Sequence, residues 1–194
     1  MLGHHFYGPR LHDHCRQGRK VLADTSSIAY SSNGHWREEC HNRLPTFRSV
    51  RSNRSGFRHI FGLIGDSLNP LADAVRRSKI EWIGVRHEEG AALAASGQAK
   101  FTGRLGVCAG TTGPGSTHLV AGLYEATRDH APVLALSGEM PRKLQGTEYI
   151  QTTAPDLLFR DVSLYTETIS APAQAPGVIH QAIVTAYAGP ALRI

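Results

Sequence analysis

The sequence predicts an α/β fold in which helices cover both faces of a doubly wound parallel sheet. Two observations carry that expectation. From residue 57 onward, short apolar runs alternate with helical patterns at the spacing of βαβ units. The runs are near-continuous rather than alternating, as strands covered on both faces require.

The elements follow in order. Residues 59–64 form an apolar run closed by Gly65. Asp66 or Ser67 then caps a helix whose Leu68, Leu71, Ala72 and Val75 recur at helical spacing. Residues 80–85 read as a second strand, and the alanine-rich stretch 88–101 as a second helix. Residues 105–109 are a third strand, followed by the turn Gly110-Thr111-Thr112-Gly113-Pro114-Gly115. Ser116 caps a helix running to about Asp129. Residues 132–137 are a fourth strand, 155–159 a short helix, 163–169 a fifth strand and 173–188 a last helix. Ligands bind such a sheet at the carboxyl ends of its strands. The segments 65–67, 86–89, 110–115 and 137–151 are therefore where chemistry is expected.

Composition narrows the function classes. Of 194 residues, 41% are apolar and 19% charged, which excludes wholesale disorder and collagen-like order. No run approaches the roughly 18 apolar residues of a membrane span. The first residues lack the apolar stretch of a signal peptide. Cys15, Cys40 and Cys108 are too scattered for a disulfide framework, so a reducing, cytoplasmic setting is expected. Residues 1–56 hold nine of the 21 Lys+Arg but four of the 16 Asp+Glu, so the net charge of +5 sits there. They show no sustained period and carry serine runs, Pro9 and Pro45. They are expected to form a disordered basic arm ahead of a folded domain at 57–190. The basic residues lack interleaved aromatics, so no nucleic-acid partner is expected. His12-Asp13-His14-Cys15 and Cys40-His41 lack the repeated ligand spacing of a zinc finger, so no metal site is expected there.

The glycine turn follows a strand and opens a helix, where a phosphate can meet free N–H groups. No Lys-Ser/Thr pair follows Gly115, so it is not a P-loop, and Gly110 and Gly113 are too far apart for the dinucleotide fingerprint. Spacing alone is satisfied by a tight turn that needs glycine dihedrals. Glu88 and Glu89 begin a helix, a position that the helix dipole favours by about 0.3–1 kcal/mol without any catalytic role. Alternatively, one carboxyl points into the crevice and shuttles a proton. His87 and His118 are accounted for as a strand-end and a partly buried histidine. Cys108, in mid-strand, reads as a small buried hydrophobe.

The stretches Phe61-Gly-Leu-Ile-Gly-Asp-Ser-Leu-Asn69, Ile80-Glu-Trp-Ile-Gly-Val-Arg-His-Glu-Glu89, Gly106-Val-Cys-Ala-Gly110, Gly113-Pro-Gly115 with Thr117-His118-Leu119, and Pro132-Val-Leu-Ala-Leu136 carry a resemblance. In this order they resemble the N-terminal pyrimidine-binding domain of thiamine-diphosphate enzymes. The nearest branch is that of pyruvate oxidase and quinone-dependent pyruvate dehydrogenase; acetolactate synthase is more distant. The resemblance implies that the glutamate at Glu88 hydrogen-bonds N1′ of the cofactor's aminopyrimidine. That contact favours the imino tautomer that deprotonates the thiazolium ring, for decarboxylation of a 2-oxo acid. It further implies that Gly65, Thr112, Gly113, Pro114 and Gly115 line the ring site and that Gln151 approaches the substrate.

The resemblance also implies what is missing. No Gly-Asp-Gly occurs in the chain, so Mg²⁺, like FAD, would be bound by domains absent from it. The domain is expected to be incomplete at both ends. Three readings stay open: a pyrimidine half-site inactive alone, a small subunit that pairs with a chain supplying the diphosphate domain, or a non-catalytic interaction module. The first two imply a homo-oligomer or a partner chain, and a small 2-oxo acid as substrate.

Overall fold

The computed structural model describes residues 57–189. The expected basic arm at 1–56 lies outside the described residues. Four strands form one parallel sheet: β1 (His59–Gly62), β2 (Glu81–Gly84), β3 (Gly106–Gly110) and β4 (Val133–Ser137). Their order is β2-β1-β3-β4. The chain thus winds outward from β1 to β2, returns to β3 and winds the other way to β4. The reversal lies between β1 and β3, where an open α/β sheet presents its ligand crevice.

The strands alternate their burial between two cores, as successive side chains of a strand must. Ile60, Val107 and Ala109 point into one core with Leu68, Val75, Leu134 and Ile183. This face is covered by α1 (Asn69–Arg76) and α6 (Ala175–Ala188). Cys108 points into the other core, with Ala91, Ala92, Ala95, Leu119 and Leu123. There α2 (Glu88–Thr102) lies against the sheet beside α3 (Pro114–His118) and α4 (Val120–Arg128). All five residues of β3 are buried, which explains why its sequence is an unbroken apolar run. A short helix, α5 (Pro155–Leu158), follows the long loop after β4.

Small residues set how closely these layers meet. A Cβ on Gly106 would fall 2.1 Å from the Ala95 carbonyl oxygen, and one on Gly122 would fall 2.5 Å from the Ala92 Cβ. The alanine face of α2 therefore lies flush on β3 and α4. Across that contact, the buried Ser96 and, at its rim, Lys100 donate hydrogen bonds to the Glu125 carboxylate. Lys100 also reaches Asp129 at 2.8 Å.

Three expectations need correction. Residues 163–169 do not form a fifth strand. Leu164 and Ile169 are exposed there, and among the described residues no strand lies alongside to complete a ladder. A short strand-like run without a neighbour leaves backbone groups unpaired, so the segment runs as a loop. Second, neither Asp66 nor Ser67 caps a helix: both lie in a 3-10 turn over Asp66–Leu68, α1 starts without a side-chain cap, and the Ser67 hydroxyl is engaged elsewhere. Third, Ser116 lies buried inside α3 and accounts for no cap, and the helix expected through Asp129 is broken between His118 and Val120.

Two outcomes test this packing. Gly106→Ala should lower stability by about 1–3 kcal/mol in urea unfolding, the usual effect of overpacking. Gly97→Ala, in the interior of α2 with open space around its Cα, should instead raise it by up to about 1 kcal/mol. Equal effects would contradict the described contacts. The Glu125 carboxyl is held below the usual carboxylate range, first by the Lys100 hydrogen bond and then by Ser96. Such a group adds stability above its ordinary range and loses it as pH falls from that range through its own lowered value. Glu125→Gln should accordingly flatten the acid limb of a stability–pH curve.

Candidate functional site

The carboxyl ends of β1, β2, β3 and β4 deliver the 65–67 loop, the start of α2, the glycine turn and Gly138 to one end of the sheet. Ser67 ties two of these together. Its Oγ lies 2.8 Å from Thr111 Oγ1 and accepts the Thr112 N–H at 3.1 Å. The Gly138 N–H donates to the Gly110 carbonyl at 2.8 Å, which brings the β4 loop against the same turn. A Cβ on Gly138 would fall 2.1 Å from Ser67 Oγ. Behind the turn, Ser116 Oγ donates to the Thr111 carbonyl at 2.8 Å and meets Ser137 Oγ at 2.6 Å. The turn is therefore braced from β1, β4 and its own helix.

Glu88 is the first residue of α2 and is 4% exposed, whereas its neighbour Glu89 is exposed. The extended residue before it, His87, caps the helix: its Nδ1 accepts the Glu89 N–H at 3.3 Å. From that start the helix places Glu88 on its buried side and Glu89 towards solvent. The Glu88 Oε2 lies 3.0 Å from Nδ1 of His118, which projects from α3. The His87 and His118 rings stack with centroids 4.3 Å apart and planes 27° apart. On the other side of the carboxylate, a Cβ on Gly115 would fall 3.0 Å from Oε1. Bare backbone thus borders the buried acid.

The remaining expected residues fall around this point. Gly65 abuts Thr111, so tightly that a Cβ would sit 2.4 Å from Thr111 Oγ1. Gly113 adopts φ +71°, a conformation that favours glycine. It also abuts the Gln151 backbone, its virtual Cβ 2.4 Å from that carbonyl oxygen. Gln151 is exposed, with φ +65°, at the end of the loop after β4. Pro114 is exposed and begins α3. Thr112 is buried, and its Oγ1 has no hydrogen-bond partner among the described residues.

Sequence reasoning missed the joint arrangement of His87, Glu88 and His118. His87 and His118 are 31 positions apart, follow different strands and share no motif spacing. A groove of about 460 Å³ along residues 156–168 is lined by other residues and shares none with this cluster. Among the described residues no helix is long and apolar enough to cross a membrane.

Comparison with known proteins agrees with the fold. The model of the family described as "Thiamine pyrophosphate enzyme, N-terminal TPP binding domain" matches residues 51–158. A pyruvate oxidase of Lactiplantibacillus plantarum is 44% identical over 135 residues, covering 69% of this chain and 22% of its own. The thiamine pyrophosphate-containing protein YdaP of Bacillus subtilis is 41% identical over 134 residues, covering 68% and 23%. An acetolactate synthase of Arthrospira platensis is 39% identical over 140 residues, covering 70% and 24%. The chain therefore spans under a quarter of the length of these relatives.

Cys108 is the one cysteine among the described residues, and burial pushes its thiol up to about 12. Since the thiolate is the reactive form, Cys108 should resist iodoacetamide in the native chain and react after denaturation, as read by peptide mass mapping. Rapid native labelling would contradict its placement under α2.

Proposed function

The chain belongs to the thiamine pyrophosphate enzymes through their N-terminal TPP binding domain, and from that membership we propose that it holds the cofactor's aminopyrimidine with Glu88 as the activating carboxylate. The observation that supports this most is a buried acid bordered by bare glycine backbone at the strand-order reversal. A flat heteroaromatic ring needs an approach free of side chains, and Gly115 leaves one beside Oε1. Its ring nitrogen needs a partner that can give and take a proton, and Glu88 supplies it. Thr112 Oγ1 adds a buried polar atom without a partner among the described residues, as expected of a group reserved for a ligand.

Thiamine diphosphate, when bound, supplies the nucleophilic carbon and the electron sink for decarboxylating a 2-oxo acid. The chain's own contribution is positional and protonic. Glu88 holds a proton between its carboxylate and the ring nitrogen, in surroundings that exclude most water. His118 steadies the carboxylate through Oε2, leaving Oε1 on the glycine side. Gly65, Gly113 and Pro114 shape the wall, and Gln151 lies at its rim, where a small 2-oxo acid such as pyruvate would enter. The diphosphate, Mg²⁺ and any flavin would be held by residues beyond 57–189, from another domain or a partner chain.

The direct test is saturation-transfer NMR with thiamine. The pyrimidine protons should receive magnetisation from the wild-type chain and lose most of it with Glu88→Gln, while far-UV circular dichroism stays unchanged. Equal transfer to both chains would overturn the role given to Glu88.

A further inference from the structure

We propose that His87, Glu88 and His118 form a binding site for a divalent metal ion of the zinc class. One ligand atom from each of the three residues lies within 4.8 Å of the others. Two imidazoles and one carboxylate are the donor set that zinc accepts when a fourth position is left for water or a ligand. Magnesium prefers oxygen donors and keeps its waters, so this is not a magnesium site.

The surroundings suit such an ion. Glu88 is buried, with its side chain 6% exposed, so a negative charge is held at a fixed point. The imidazoles are accessible, at 41% exposure for the His118 side chain and 53% for His87. A hydrated ion can reach the rings from solvent and then meet the carboxylate behind them. Zinc–ligand bonds of about 2.0–2.1 Å imply a tetrahedral edge near 3.3 Å. The Glu88–His118 pair, at 3.0 Å, already stands close to that edge. His87 closes the remainder by a swing of its exposed ring, which gives up the hydrogen bond its Nδ1 accepts from the Glu89 N–H. The ion replaces the hydrogen bond between Oε2 and Nδ1, and the proton shared there leaves to solvent.

The site has a consequence that rests on the pyrimidine reading above. An ion on Glu88 and an aminopyrimidine on Glu88 compete for one carboxylate, so each lowers the affinity of the other by the same factor. Zinc would then be an inhibitor that acts at the activating acid and not at the diphosphate.

Residues 1–56 carry six histidines and two cysteines that can bind zinc themselves, so the test is a difference between full-length chains. Equilibrium dialysis against Zn²⁺ should show one zinc per chain that is weakened at least about tenfold in each of His87→Gln, Glu88→Gln and His118→Asn. Superimposable isotherms for all four chains would overturn the site. In the wild-type chain, where folding is not in question, Zn²⁺ should shift the His87 and His118 ring resonances in NMR; unmoved rings would equally overturn it. Thiamine, which lacks the metal-chelating diphosphate, separates the two ideas. At concentrations where its pyrimidine is bound, it should release this zinc. Zinc retained there leaves the metal site standing and removes Glu88 from the pyrimidine reading.

Discussion

The hydrogen bond between Glu88 and His118 is the contact on which the site depends. A carboxylate withdrawn from water costs several kcal/mol unless a partner meets it. Glu88 is withdrawn because it opens α2, which His87 caps, on the helix's buried side. The partner comes from α3, which the glycine turn after β3 directs back over the sheet. The crossover after β2 and the crossover after β3 thus meet at one carboxylate, on the same face of the sheet. The chemistry proposed for the domain needs that acid held in place while one of its oxygens stays approachable.

Close backbone packing makes that meeting possible. A Cβ on Gly110 would fall 2.2 Å from the Gly115 carbonyl oxygen, so the turn folds onto the end of its own strand. Ser67, Ser116 and Ser137 then fasten it with side-chain hydrogen bonds. The two serines expected to cap helices are the ones that carry this bracing. A hydroxyl next to a helix start satisfies either a helix N–H or a neighbouring loop, and the sequence pattern is the same in both cases. That is why Ser67 and Ser116 read as helix caps in the sequence, although Ser67 falls in a segment where it places chemistry.

The α/β class, the four strands and the helix beginning at Glu88 could be read from the sequence pattern, because β3 is buried on both faces and α2 buries one alanine-rich face. The segment 163–169 misled because a short run of strand-forming residues becomes a strand only where a neighbour completes the ladder, and pairing is not encoded locally. At the site, Glu88 and the 112–115 turn were visible from position and family resemblance. The stacking of His87 on His118 was not, since it arises from two crossovers meeting in space. The zinc-type donor set belongs to that hidden part: no spacing in the sequence carries it.

The claim that organises this account is that thiamine's pyrimidine sits between Glu88 and the glycine turn. The most direct measurement is a ¹³C and amide NMR titration of the chain with thiamine. The account predicts that the Glu88 side-chain carboxyl carbon moves together with the amides of Thr112, Gly113 and Gly115. Shifts confined to other faces, with the Glu88 carboxyl carbon unmoved at saturation, would contradict it.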